Sequence, residues 1–140
     1  MKRIIILLIA SLTLISFNNT SETDFNIVGK WQAQDENEVG FIVFQKDGFA
    51  YFEIGGEILG GKEFEMDGKR GNMTYEVDYS KEIISIDLIV TIIDENKSKR
   101  LLCIAQRLND DEINFTIGFN EIRPTDFENN DSMIFKRVKS

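Results

Sequence analysis

The sequence predicts an all-β domain, an antiparallel up-and-down barrel of roughly eight to nine strands, with a two-sheet sandwich as the alternative. Three observations carry that expectation. After Asp24 the apolar and polar residues alternate with period two, and no 3.6-residue apolar stripe of useful length intervenes. Turn-forming pairs such as Asp47-Gly48, Asp67-Gly68 and Asn109-Asp110 recur at short intervals between the apolar runs. The 140 residues, 42% hydrophobic and 29% charged, fit one globular domain and not a disordered or fibrous chain. Closure into a barrel removes the unpaired edges that a sheet of this length would otherwise expose.

The chain opens with Lys2-Arg3 and an apolar run from Ile4 to Phe17, broken only by Ser11, Thr13 and Ser16. A short basic segment followed by an apolar stretch of this length reads as a secretory signal peptide over residues 1–20, helical before removal. It is shorter than the ~20 apolar residues that span a bilayer, and the alternative is an uncleaved anchor. No Ala-x-Ala site precedes Asn18 or Asn19, and no cysteine follows the run to accept a lipid. The folded domain is therefore expected over residues 21–140, exported to the periplasm or secreted, with no membrane span after leader removal.

The strands follow in order. Ile27 to Ala33 places Ile27, Gly29 and Trp31 on one face. Phe41 to Gln45 and Phe49 to Ile54 flank Lys46-Asp47-Gly48, the strongest hairpin signal in the chain. Gly55-Gly56 and Gly60-Gly61 bracket a segment expected to be a bend or weak edge strand, a loop that could cover the barrel mouth. Met73, Tyr75, Val77 and Tyr79 alternate with Thr74, Glu76 and Asp78. Ile83 to Ile93 is a long β-branched strand with Ile84, Ile86, Leu88, Val90 and Ile92 on one face. Leu101 to Arg107, Ile113 to Phe119 and Met133 to Val138 complete the set.

Charge and residue types exclude much chemistry. A formal net charge of −8 has the wrong sign for binding phosphate backbones, so no nucleic-acid partner is expected. With His 0 and Cys 1, the chain has no Ser-His-Asp or Cys-His nucleophilic site, no histidine zinc site and no Cys-x-x-Cys pair. Cys103, set among Leu101, Leu102 and Ile104, reads as an inert buried thiol. The acidic runs Asp35-Glu36-Asn37-Glu38 and Asp110-Asp111-Glu112 lack the spacing of a calcium loop and read as solvated turns, so no metal is expected. The glycine-rich segment 55–61 lacks the Lys-Ser/Thr and following helix of a phosphate loop. No cofactor is implied, and no enzyme activity is expected; a carboxylate pair for glycoside hydrolysis has no two acids placed together on an inner face.

Gly29-Lys30-Trp31 on the first strand resembles the Gly-x-Trp signature that opens lipocalin-type barrels. Further along, Tyr75-Glu76-Val77-Asp78, Ile86-Asp87-Leu88, Arg123-Pro124-Thr125-Asp126-Phe127 and the closing Phe135-Lys136-Arg137 resemble, in the same order, a family of short bacterial exported lipocalin-like (calycin) proteins. The resemblance covers about Gly29 to Arg137. It implies that the glycine permits close packing, that the indole plugs the closed end, and that a late-strand arginine packs across the ring. Arg137 is the first choice for that arginine, with Arg123 and Arg107 behind it. The resemblance implies a fold and no reaction. This chain departs from it in lacking the late cysteine of the strand at Ile113 to Phe119, which puts a thiol-based role in doubt.

The aromatic residues offer the one candidate binding site. Phe41, Phe44, Phe52, Tyr75, Tyr79, Leu88, Phe115 and Phe119 could line a cavity for a small hydrophobic ligand, with the tyrosines as polar handles near an end. The same residues could instead fill the barrel solid, leaving a module that works through its loops as a protein-interaction or cell-envelope accessory domain. Arg123, held extended by Pro124, could present its guanidinium to an anionic group.

Overall fold

Alternation is realised as ten strands in the computed structural model, which describes residues 25–33, 39–128 and 132–139. The expected leader lies outside the described residues. The strands are β1 (Gly29–Ala33), β2 (Gly40–Phe44), β3 (Ala50–Ile54), β4 (Glu57–Gly60), β5 (Phe64–Met66), β6 (Lys69–Asp78), β7 (Ile83–Ile92), β8 (Lys97–Asn109), β9 (Glu112–Gly118) and β10 (Ser132–Arg137). A 3₁₀ turn over Ile93–Glu95 is the only helical element among the described residues. No described helix is long and apolar enough to cross a membrane.

The hydrogen-bonded order is β4-β3-β2-β1-β10-β9-β8-β7-β6-β5, every neighbouring pair antiparallel. The first and last strands meet, Trp31 opposite Arg137 and Ala33 opposite Phe135. The sheet thus curls into an up-and-down barrel. Its one seam lies between β4 and β5, which do not pair with each other. The seam is drawn together lower down, where Phe49 bridges Thr74, the Gly61 N–H donates to Ala50 O (2.7 Å) and the Met73 N–H donates to Gly61 O (2.9 Å).

The count of ten corrects the expected eight to nine. The addition is β5, while β4 is the weak edge strand expected between the two glycine pairs. The glycine-bracketed segment is not a free loop over the mouth; Glu57–Gly60 forms a strand on β3 through a tight turn at Gly55 and Gly56, both at positive φ. β5 is three residues with a glutamate at its centre, too short to register as alternation.

Inward positions of β1 to β3 and β6 to β10 build one core. Ile27, Trp31, Ile42, Ile86, Leu88 and Ile113 are fully buried in it, with Phe44 and Phe115 nearly so. Between β9 and β10 the chain crosses the outer wall. There Arg123 donates from Nη1 to Cys103 O (2.9 Å) and from Nη2 to Asp87 (2.5 Å). Asp87 also accepts from Arg100 (3.0 Å), which reaches Glu76 (3.1 Å). Gly118 is where this crossing starts. A Cβ there would collide with Leu102 O and Ile122 O and stand 2.7 Å from Pro124 Cδ. The crossing segment lies over β8 and β9, where Ile104 and Thr116 are buried on the outward side.

Candidate functional site at the open end of the barrel

The two ends of the barrel differ because of what the strands place there. At the end where β1 begins and β10 finishes, Trp31 is fully buried and donates from Nε1 to Ile27 O (2.8 Å). The Arg137 guanidinium lies over its ring, 4.2 Å from the centroid. Arg137 is itself fixed by backbone carbonyls: Val28 O and Asn26 O at 2.9 Å each, and Asp110 O at 3.2 Å. Gly29, at φ +139°, leaves room for this cation, since a Cβ would sit 3.0 Å from Arg137 Nη1. Phe25 packs against Trp31 (6.2 Å) and against Tyr79 (6.5 Å), and Arg107 lies over Phe25 (5.6 Å). Arg123 is not at this end; it is bonded to the outer wall. This end is therefore plugged.

At the opposite end β1 stops at Ala33, β2 starts at Gly40 and β3 stops at Ile54. The inner face here carries two small residues side by side, for a Cβ on Gly40 would touch Ala33 Cβ at 4.0 Å. That missing bulk leaves a pocket of about 350 Å³. Its walls are Phe52 and Ile54 of β3, Phe115 and Ile117 of β9, Phe119 just beyond it, and Met133 and Phe135 of β10, with Ala33, Gly40 and Phe41 completing the rim. Every described lining residue is apolar. The volume falls at the small end of the range for ligand pockets, about 300–1,000 Å³.

Of the eight residues expected to line a cavity, Phe41, Phe52, Phe115 and Phe119 reach this pocket. Phe41 does so from the rim, with Lys30 Nζ over its ring at 4.2 Å. The other four are placed elsewhere. Phe44 is buried edge-on to Tyr75 (5.0 Å) in the filled half. Tyr75 donates its hydroxyl to Gln45 O (2.8 Å), and burial pushes its phenol above the usual range. Leu88 is core, and Tyr79 accepts from the Ile27 N–H (3.2 Å) at the plugged end. Sequence reasoning missed Ala33, Gly40, Ile54, Ile117, Met133 and Phe135. Inward alternation on β9 and β10 could have found Ile117, Met133 and Phe135; nothing local marks the two small residues.

A larger hollow of about 630 Å³ lies beside the plug, but Lys81, Glu82 and Arg107 border it and it opens between charged side chains. The apolar pocket is the better candidate because its walls are of one chemical kind. The acids of the 110–112 turn pair with neighbours: Asp110 with Arg107, Asp111 with Lys139 (2.9 Å), Glu112 with Lys136 (3.8 Å). Asp35, Glu36 and Glu38 lie outside the described residues.

Cys103 is fully buried, and burial pushes its thiol up to about 12. The folded state thus favours the neutral thiol. That contribution to stability is fully present below the ordinary thiol value near 9 and is lost as pH rises toward 12. Alkylation of the folded protein by iodoacetamide is expected to stay negligible between about pH 7 and 10, while the urea-unfolded chain reacts faster as pH rises. Mass spectrometry of the alkylated fraction checks this; rapid labelling of the folded chain at about pH 8 would contradict it.

Comparison with family models, with curated proteins and with solved structures finds no match for this chain.

Proposed function

We propose that this chain is an exported, non-catalytic, lipocalin-like barrel that holds a small hydrophobic molecule at its open end. One observation carries the reading: among the described residues, the pocket of about 350 Å³ is walled by apolar side chains alone. Such walls select ligands by burial of apolar surface and offer no titratable group to a reacting substrate. The barrel plan, with one end sealed by an indole and a guanidinium and the other left open, supports a container with a single entrance. The basic-then-apolar leader pattern supports export.

The test is titration with the uncharged fluorophore N-phenyl-1-naphthylamine. Fluorescence enhancement with saturation is expected for the natural chain. Gly40→Phe projects a ring into the pocket from the half-buried first residue of β2 and is expected to weaken binding at least tenfold, about 1.4 kcal/mol, with little loss of thermal stability. Failure of the natural chain to bind the probe, or equal binding by the variant, would return the barrel to the reading of a filled interaction module.

A further inference from the structure

We propose that the seam between β4 and β5 is a docking slot for an extended, basic segment of another protein, which enters it as a further strand of the sheet. The slot shares no wall residue with the apolar pocket, and nothing in it depends on what that pocket holds.

Antiparallel partners alternate between residues that exchange N–H···O bonds and residues that do not. On β4 the phase is set where the Gly61 N–H donates to Ala50 O, the position just past Gly60 opposite Tyr51. Leu59 opposite Phe52 and Glu57 opposite Ile54 share that phase and bond to β3. Ile58 and Gly60 therefore turn their N–H and C=O toward the seam. On β5 the two-residue turn Asp67-Gly68, both at positive φ, closes on the bonded pair Met66 and Lys69. Phe64 opposite Gly71 shares that phase, so Glu65 turns its N–H and C=O toward the seam. Neither Ile58 nor Glu65 has a backbone partner across the seam among the described residues. Two free edges thus face one another, each a template for an added strand.

Side chains on both faces fit a strand placed there. On the inner face Leu59 is level with Phe52, Met66 shares the parity of Phe64, and both Leu59 and Met66 are exposed. An apolar side chain of the added strand covers them. On the outer face a hollow of about 630 Å³ crosses the seam, bounded by Tyr51 and Ile58 on one side and by Arg70 and Ile93 on the other. At usual strand rise, strand spacing and sheet spacing an extended residue fills roughly 160 Å³, so the hollow admits roughly four residues, the length of β4. The partner's sign follows from the charges left over. Arg70 is paired with Asp94, and Lys69 and Lys97 share Glu95. Asp47, Glu57, Glu63, Glu65 and Asp67 have no ion pair among the described residues, against Lys46, Lys62 and the surplus lysine at Glu95. The balance is negative, on a chain of net charge −8. A second copy would bring these carboxylates against their own kind, and short, charged edges resist self-pairing. A basic strand meets attraction instead.

The experiment is fluorescence anisotropy of short labelled peptides with the full chain at low salt: alternating Lys-Val, alternating Glu-Val, and alternating Lys-Val methylated at each valine nitrogen. Saturable binding is expected for Lys-Val. The methylated form keeps the charge but loses strand-pairing donors, and its affinity should fall about tenfold or more, as should that of Glu-Val. Ile58→Pro removes one N–H from the free edge without touching the β3 ladder, a place where an edge strand tolerates proline. It should weaken Lys-Val binding about tenfold with the unfolding midpoint kept, while Ile58→Val binds as the natural chain does. No binding of Lys-Val by the natural chain, equal binding of the methylated peptide, a preference for Glu-Val, or undiminished binding by folded Ile58→Pro overturns the proposal. So does a dimer in sedimentation that Ile58→Pro dissolves, which gives the slot to a second copy. The peptide comparison stands on the natural chain alone, whatever the fold of Ile58→Pro. N-phenyl-1-naphthylamine titration reads the apolar pocket separately, so either site can fail without the other.

Discussion

Trp31→Ala is expected to cost about 3–5 kcal/mol of folding stability, the range for emptying a large buried aromatic site. That is a large share of a domain's usual total of about 5–15 kcal/mol. The loss has several parts. The indole is fully buried, so its removal opens a void at the base of the barrel. Its Nε1 bond to Ile27 O disappears, and Phe25 loses the ring it packs against. Arg137 keeps its carbonyl partners but loses the face beneath it, a contact worth roughly 0.5–2 kcal/mol. Trp31→Phe should cost less, because a ring remains under the guanidinium and only part of the volume and the hydrogen bond are lost. Urea denaturation followed by far-UV circular dichroism separates the two variants. A loss below about 1 kcal/mol for Trp31→Ala would show that the plug does not hold the barrel shut.

Gly118→Ala is expected to be the more disruptive of the smallest possible changes. One methyl group cannot fit where Leu102 O, Ile122 O and Pro124 Cδ already converge. Either the crossing segment lifts from the wall or β8 and β9 shift apart, and overpacking of this kind costs about 1–3 kcal/mol. Lifting would break the Arg123 bonds to Asp87 and Cys103 O and expose Ile104. Chymotrypsin is then expected to cut after Phe119 or Phe127 in the variant well before it cuts the natural chain. Asp87→Asn is the comparison: it weakens the ion pair without any steric conflict and should leave the cleavage pattern close to natural. Equal protease resistance of Gly118→Ala and the natural chain would mean that the crossing segment is not held by close packing.

The barrel was legible in the sequence because period-two alternation reports burial directly. Ile84, Ile86 and Leu88 face inward as their spacing demands, and the Asp47-Gly48 turn joins the strands it separates. β5 was illegible and β4 was marked only by its flanking glycines, for an opposite reason: each lies at the end of the sheet order and buries little, so no alternation is imposed on it. The pocket was half legible. Phe52, Phe115 and Phe119 were marked by size and parity. Yet parity gives a side of the sheet and not a height along the barrel, so Phe44 and Leu88 share the inner face but belong to the filled half. The void itself comes from Ala33 and Gly40, and absent side chains leave no hydrophobic signal. The outer-wall bonding of Arg123 was equally hidden, for it depends on Asp87 two strands away in the wall's pairing order.

Pairing β1 with β10 has a consequence for biosynthesis. Arg137 bonds to Val28 across 109 residues of chain. While a ribosome is still making the middle strands, Trp31 has no guanidinium above it and β1 has a bare edge. The ring can therefore close only once the final strand has emerged, and the growing polypeptide must remain soluble until then. Contacts this distant in sequence slow folding, because the whole loop must be gathered before they reward it. Removing the six residues of β10 should accordingly leave no smaller barrel behind, only an open sheet prone to aggregation.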